Sequence, residues 1–158
     1  MIIGIDPGPT TCGIVILDGT RVTLAHKAAT VPECLHILRG TSVLEGYSNA
    51  TVAIERVQSY GIAGASLLQT AEVCGRLQQC AEDSGHMTLL FYRREVLRAL
   101  DVTGKGSRDA VVRQRLLEIW GGDPKALKGT KRDPGPLYGV AGHAWQALAV
   151  AVVAREIG

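Results

Sequence analysis

The sequence predicts an α/β fold in which a mixed five-stranded sheet is flanked by helices on both faces. Short runs of apolar and β-branched residues alternate with longer segments of helical spacing, which is the pattern of an α/β domain. The last segment is apolar on nearly every side, as expected of a helix buried against a sheet. At 158 residues the chain is predicted to form a single domain, residues 1–158.

The first part of the chain predicts three antiparallel strands. Ile2–Ile5 and Cys12–Leu17 are apolar runs joined by a turn rich in proline and glycine. Asp18-Gly19 is a hairpin signal, and a third strand over Val22–Lys27 follows it. A helix is predicted next over Pro32–Leu44, and Thr30 is its candidate cap.

The second part alternates strands and helices. Strands are predicted at Thr51–Ile54 and Thr88–Phe91, with a long helix from Ala63 to Ser84 between them. Three further helices are predicted, over Arg93–Leu100, Ser107–Trp120 and Gly142–Ile157. The segment 121–136 is rich in Gly, Pro, Lys and Asp and has no apolar periodicity, so we expect a mobile basic loop there.

Composition excludes several classes of protein. Hydrophobic residues make up 46% of the chain, but they form no uninterrupted run long enough to cross a bilayer. The N-terminus lacks the basic lead of a secretory signal, and we expect a cytoplasmic protein. The four cysteines lie among apolar neighbours without metal-site spacing, which predicts buried thiols with no chemical role.

Basic residues are concentrated in one part of the chain. The net charge is only +2, yet residues 93–132 hold eleven basic and five acidic side chains, a local excess of six positive charges. A basic segment of this kind suits a polyanionic partner. A solvated basic helix face is the alternative, and the charges alone do not decide between the two.

Two carboxylates end neighbouring strands of the predicted sheet. Asp6 follows the first strand and Glu55 follows the fourth, so parallel pairing of these strands would bring both to one edge. Oxygen ligands held this close favour Mg²⁺ or Mn²⁺. In the alternative interpretation, Asp6 caps a turn and Glu55 pairs with Arg56 or another base.

Three segments together resemble a known family. They are Met1-Ile-Ile-Gly-Ile-Asp6-Pro-Gly8, Ala53-Ile-Glu55-Arg-Val57 and His143-Ala-Trp-Gln146. In this order and across this length of chain, they resemble the RuvC family of Holliday-junction resolvases. Sugar kinases and heat-shock ATPases share a turn like the first segment, but those folds need two such domains and a much longer chain.

The resemblance implies a fold, a substrate and a site. The implied fold is RNase H-like, and the implied protein is a homodimer that grips a four-way DNA junction and nicks two strands symmetrically. The implied cofactors are two Mg²⁺ or Mn²⁺ ions in each active site, which promote in-line hydrolysis. Carried over by position, Asp6, Glu55 and His143 would bind metal, and Gln146 would stand at the fourth catalytic position.

Gln146 departs from the family pattern, which has an aspartate one helical turn after His143. A carboxamide offers one neutral oxygen where the metal favours a charged ligand. Three explanations stay open: an inactivating substitution, a natural variant that completes its site differently, and a junction-binding protein that no longer cuts. Asp133, upstream in the basic loop, is a candidate substitute, although nothing in the spacing places it there.

The resemblance also implies a DNA-binding surface. The family places a basic turn and helix where this chain has Gly104 to Arg113, and an aromatic residue near the site where this chain has Gln58 with Tyr60 close by. When the basic residues of segment 93–132 are added on the ground of charge, the expected DNA-binding residues are Tyr60, Arg93, Arg94, Lys105, Arg108, Arg113, Lys128, Lys131 and Arg132. Dimerisation is expected through the long helix, with Leu68 and Val73 as candidate contacts.

The leading functional prediction is a structure-specific DNA endonuclease that resolves four-way junctions. Retention of Asp6, Glu55 and His143 favours this prediction over its alternatives. Gln146 favours the second candidate, a non-catalytic binder of branched DNA with the same fold. A third candidate is an RNase H-like nuclease that acts on another branched substrate.

Overall fold

A five-stranded sheet in the order β3-β2-β1-β4-β5 forms the centre of the molecule. The computed structural model describes residues 1–43, 50–59, 61–102 and 108–157. The strands are β1 (Ile2–Asp6), β2 (Thr11–Asp18), β3 (Arg21–Thr30), β4 (Thr51–Arg56) and β5 (Met87–Tyr92). β1, β2 and β3 pair antiparallel, whereas β4 and β5 continue the sheet in parallel with β1. The predicted mixed sheet is confirmed.

Helices cover both faces of this sheet. α1 (Val31–Val43) and α2 (Ala65–Asp83) pack on one face against the side chains of Ile3, Ile5 and Ile54. On the other face lie α3 (Arg93–Ala99), α4 (Arg108–Trp120), α5 (Pro124–Lys128) and α6 (Ala144–Ile157). Successive strand residues point to opposite faces, so one short strand can serve both apolar layers.

Thr30 caps α1, as predicted. Its backbone N–H and its hydroxyl both donate to Glu33 Oε2, at 2.6 and 2.7 Å, and the N–H of Glu33 donates back to the Thr30 hydroxyl at 3.4 Å. This reciprocal arrangement satisfies amide donors that the first turn of a helix otherwise leaves unpaired. It therefore fixes the point where β3 becomes α1.

α6 lies directly on the centre of the sheet. All of its residues from Ala144 to Ala154 are buried, which confirms the expectation from their apolar character. Two glycines allow the close approach: a Cβ on Gly4 would overlap the carbonyl oxygen of Ala147, and one on Gly13 would overlap the backbone of His143. The glycines of β1 and β2 thus set the height of α6 above the strands and the position of His143.

The prediction that segment 121–136 is a loop without regular structure is wrong at its centre. Residues Pro124–Lys128 form α5, whose N-cap Asp123 accepts a hydrogen bond from the Ala126 N–H at 3.3 Å. Leu127 is buried against the core and anchors the short helix. One cap, one proline in the first turn and one apolar anchor form a helix too short to show periodicity in the sequence.

The prediction that Val73 contacts a second copy of the chain is wrong. Val73 is only 6% exposed and packs in the layer between α2 and the sheet, so it is unable to face a second chain. Leu68, the other candidate, is 61% exposed. The two residues lie on different faces of α2 because five positions along a helix amount to about 1.4 turns.

The four cysteines are free and buried, as predicted. Each belongs to the apolar layer that α1 and α2 form with the sheet. Within the part of the chain that the structure describes, no helix is both long and apolar enough to cross a membrane.

Candidate active site

The carboxyl ends of β1, β4 and β5 meet at one edge of the sheet. Asp6 ends β1, Glu55 is the penultimate residue of β4, and Arg93 directly follows β5. The parallel pairing of β4 with both β1 and β5 places these three side chains side by side, as predicted for Asp6 and Glu55. They line a common cleft of about 170 Å³.

His143 joins this arrangement through Asp6. It immediately precedes α6, and its Nδ1 lies 3.2 Å from Asp6 Oδ2. The Asp6 side chain is 17% exposed, whereas that of His143 is 68% exposed. The imidazole is therefore held by a largely buried carboxylate while most of its surface stays accessible to solvent or to a substrate.

Arg93 is bonded to three oxygen-bearing side chains. Its Nη1 donates to Glu55 Oε2 at 3.3 Å and to Gln146 Oε1, and its Nη2 donates to Asp109 Oδ1 at 2.5 Å. Gln146 is only 7% exposed, so its amide is held inside the site rather than facing solvent. A hydrogen bond between Glu95 Oε2 and the backbone N–H of Tyr92, 2.7 Å long, fixes the start of α3 and with it the position of Arg93.

Asp6, Glu55 and Asp109 form an acidic cluster around Arg93, and the sequence did not identify Asp109 as a member of it. Asp109 lies in the first turn of α4, where an acid is also explained by the helix dipole, so its position in the sequence gave no separate signal. Asp133, the acid considered as a substitute, does not line this cleft and pairs with Thr130 in the turn after α5. The third carboxylate of the cluster is therefore supplied by α4.

Burial raises the pKa values of the two cleft acids, Asp6 and Glu55, by more than their positively charged neighbours lower them. Burial raises the pKa of Asp6, and His143 and Arg93 only partly oppose the effect. Burial also raises the pKa of Glu55 to about 7, against the opposing influence of Arg93, while the charge of Asp6 adds to the rise. Two crowded, partly desolvated carboxylates favour either a proton or a further cation.

The oxygen donors suit one hard divalent ion better than two. Asp6 and Glu55 offer carboxylate oxygens to a common cleft, and His143 adds a nitrogen beside Asp6. As placed, no three His, Cys, Asp or Glu side chains of the described residues form a ready-made metal site. A second ion at the Gln146 position would meet a neutral amide that already accepts a hydrogen bond from Arg93.

A second, basic groove of about 460 Å³ adjoins the acidic cleft. Asp109, His143 and Gln146 form its border with the acidic cluster, and Arg113 and Lys128 line its outer part. The cationic groups of Arg113 and Lys128 lie 5.4 and 5.9 Å from the ring centre of Trp145. The aromatic ring thus orients two cations beside the acidic cluster.

The other predicted DNA-binding residues are dispersed. Arg94 is exposed and stacks over Tyr92 at 5.5 Å, and Lys131 and Arg132 are exposed in the turn after α5. Arg93, predicted to contact DNA, lies within the acidic cluster instead of facing outward. Tyr60, Lys105 and the side chain of Arg108 lie outside the described residues, so their roles stay predictions.

We expect the affinity of the protein for Mn²⁺ to rise with pH and to level off above about pH 7. Because the pKa of Glu55 is raised to about 7, the carboxyl holds a proton at pH values where an ordinary glutamate is ionised. A cation must displace this proton, so each pH unit below 7 should weaken binding by up to about tenfold. Calorimetric titration from about pH 5.5 to about pH 8.5 measures the effect.

The matched control for this pH dependence is Glu55→Gln, which has no proton to displace. This variant should bind Mn²⁺ weakly with a much flatter pH profile. A profile as steep as that of the unaltered protein would assign the titration to a group other than Glu55.

Comparison with known proteins identifies the family. The crossover junction endodeoxyribonuclease RuvC of Leifsonia xyli subsp. xyli is 31% identical to this chain, and the match covers 92% of this chain and 74% of that protein. No protein-family model matches the chain. The identity extends over most of both proteins rather than over one motif.

Solved structures agree on the fold. A structure of Thermus thermophilus RuvC in complex with Holliday junction substrate has a TM-score of 0.63 and 19% identity, and the match covers 99% of this chain and 95% of that chain. A second Thermus thermophilus RuvC structure has a TM-score of 0.61 and 22% identity, with coverage of 98% and 95%. The RNase H-like architecture predicted from the sequence is confirmed, and this chain belongs to the RuvC family of crossover junction endodeoxyribonucleases.

Proposed function

We propose that this protein is a divalent-metal-dependent endonuclease that cuts four-way DNA junctions. The observation that carries the proposal is the convergence of Asp6, Glu55 and His143 at one sheet edge, each at the position that the resemblance assigned to a metal-binding residue. The relative from Leifsonia xyli is named as a crossover junction endodeoxyribonuclease, and one matching structure holds a Holliday junction. The basic groove beside the acids supplies a place for the DNA backbone.

Asp6, Glu55 and His143 would have different roles in the reaction. Asp6 and Glu55 would hold Mg²⁺ or Mn²⁺ between β1 and β4, since both offer hard oxygen ligands. A divalent cation bound there supplies positive charge that polarises the phosphodiester and favours ionisation of water. His143, held by Asp6 and exposed on its other side, is placed to orient a water molecule toward the phosphate.

Arg113 and Lys128 would bind the phosphates that flank the cut. Their cations line the groove that His143 and Gln146 border, so a strand lying in this groove would pass the acidic cleft. Backbone contacts of this kind set the position of the DNA without reading its sequence. We also propose that Lys131 and Arg132, in the basic segment 121–136, extend this phosphate-binding surface.

Substitution of Lys128 by Gln should weaken junction binding and reduce its dependence on salt. Loss of one phosphate contact lowers the slope of log affinity against log salt concentration by about one. Fluorescence anisotropy with a labelled junction at several salt concentrations measures the slope. Arg155→Gln is the control, because Arg155 lies at the opposite end of α6 and bonds to Glu156, and its slope should not change.

Symmetric cleavage requires two active sites, and we propose that two copies associate through α2. Leu68 on this helix and Ile62 just before it are both strongly exposed, unlike the buried face that contains Val73. Exposed apolar side chains that lie together can mark a protein–protein contact, and these two lie six positions apart around the start of α2. Leu68→Glu should therefore shift the protein toward monomers in sedimentation experiments.

The proposed function is tested by incubating the protein with a synthetic four-way junction in Mg²⁺ or Mn²⁺. Cleavage of the junction that stops on addition of a chelator, with no cleavage of a linear duplex of the same sequence, is the expected result. Equal cleavage of both substrates would indicate a nuclease with another substrate. Tight junction binding without cleavage in either metal would contradict the enzymatic proposal.

A non-catalytic junction-binding protein is the second candidate. The observation that favours it is the pairing of Gln146 with Arg93, which places a neutral amide and a fixed cation in the acidic site. Under this alternative, the basic groove would still bind DNA. The presence of Asp6 and Glu55 in one cleft, with His143 bonded to Asp6, favours the enzyme.

A further inference from the structure

The guanidinium of Arg93 occupies the space between β4, α4 and α6. Its Nη1 contacts both Glu55 Oε2 and Gln146 Oε1, and its Nη2 contacts Asp109 Oδ1. The Arg93 side chain is 27% exposed and that of Glu55 is 14% exposed, so this cation is largely enclosed. Nη1 therefore lies between Glu55 Oε2 and Gln146 Oε1, where these two oxygens would otherwise share a metal ion.

The amide of Gln146 suits an arginine better than it suits a metal. An amide oxygen readily accepts a hydrogen bond from a guanidinium, whereas a hard divalent ion favours an anionic oxygen. Arginine keeps its charge at any physiological pH, and its planar group can bond to several acceptors at once. Gln146 and Arg93 are therefore chemically matched to each other.

The charges of the cluster balance with a single divalent ion. Three carboxylates, those of Asp6, Glu55 and Asp109, stand around one guanidinium. Two negative charges are left, which one divalent ion neutralises and two would exceed. Because a carboxylate has two oxygens, Glu55 can bond to Arg93 through Oε2 and still offer the other oxygen to an ion in the cleft.

From this geometry we propose that Arg93 takes the place of one of the two divalent ions that the resemblance implies. The chain then binds one ion, at Asp6 and Glu55, and Arg93 supplies the second positive charge as a permanent part of the protein. This inference rests on the proposed function for its purpose, but not for its test. Gln146 is, on this account, the partner that keeps Arg93 in the site.

The number of Mn²⁺ ions bound per chain tests the proposal without DNA. Titration followed by electron paramagnetic resonance of free Mn²⁺ should give one ion per chain for the unaltered protein. The double variant Arg93→Gln with Gln146→Asp should bind two, and the two bound ions should show spin coupling, because the cation is removed and an anionic ligand is restored. The matched control Arg94→Gln removes the neighbouring exposed arginine and should still bind one ion.

Two results would overturn the proposal: two ions in the unaltered protein, or one ion in a folded double variant. Circular dichroism shows whether the double variant is folded. If the double variant is unfolded, the number of Mn²⁺ ions bound by the unaltered protein alone decides whether the proposal holds. Failure of the proposed function looks different. A protein that binds one Mn²⁺ but leaves junctions intact would retain this inference and lose the enzyme, whereas one that cuts junctions with two ions would do the reverse.

Discussion

Asp6→Asn should abolish metal-dependent junction cleavage, with a loss of at least about a thousandfold in rate. Asp6 is the acid that lines the cleft with Glu55 and also holds His143, so its loss removes a metal ligand and releases the imidazole. Metal-ion catalysis contributes several kcal/mol to a reaction of this type, and about 1.4 kcal/mol corresponds to tenfold in rate. Single-turnover cleavage of a labelled junction measures the effect.

The same variant should fold at least as stably as the unaltered protein when no metal is present. Burial raises the pKa of Asp6, which means that its ionised form is less favourable in the folded chain than in the unfolded one. This penalty grows as pH rises above the ordinary range of an aspartate, and a neutral asparagine avoids it. Thermal unfolding at neutral pH with a chelator checks the sign.

Asp18→Asn is the control for Asp6→Asn. Asp18 is exposed at the end of β2, away from the acidic cleft, and its substitution should leave the cleavage rate unchanged. Junction binding by Asp6→Asn should persist, since removing a negative charge near the phosphates does not weaken their attraction to the basic groove. A cleavage rate within about tenfold of that of the unaltered protein would contradict the assignment of Asp6, because tenfold corresponds to only about 1.4 kcal/mol.

Gly4→Ala should destabilise the fold by about 2–3 kcal/mol, a large loss for one methyl group. The added Cβ would overlap the carbonyl oxygen of Ala147 and lie 2.8 Å from the Cβ of Ala151. α6 is buried along almost its whole length and has little room to move away. The melting temperature should fall by roughly 5–10 °C for a chain of this size.

Gly40→Ala is the matched control for this packing effect. Gly40 lies within α1, and a Cβ there would meet nothing within 4 Å. Alanine is favoured over glycine in a helix by about 0.8–1 kcal/mol, so this variant should be slightly more stable than the unaltered protein. Equal melting temperatures for the two variants would show that α6 does not press on β1 as described.

The architecture was predictable because each strand and the last helix carry a local signal. The isoleucines of β1 and the apolar run of β2 indicate strands, and the uniform burial of α6 follows from its Ala and Val content. Glu55 indicated the site because a charged residue directly follows the buried residues of β4. α5 was missed because a five-residue helix depends on one cap and one buried leucine rather than on periodicity.

The role of Arg93 was not predictable from local sequence. It was placed on the DNA-binding surface because it lies in a basic segment, but parallel pairing of β4 with β5 brings it beside Glu55. Asp109 joins the cluster only because α4 packs beside α6. Contacts between residues 16, 38 and 53 positions apart depend on tertiary packing, which neither spacing nor composition reveals.

Mapping the cuts in a four-way junction is the measurement that tests the central claim most directly. A junction labelled in turn on each of its four strands is incubated with the unaltered protein and Mg²⁺. The account predicts paired nicks at symmetric positions in two opposite strands, and their loss with Asp6→Asn. Intact junctions in both Mg²⁺ and Mn²⁺, or nicks scattered without symmetry over all four strands, would contradict it.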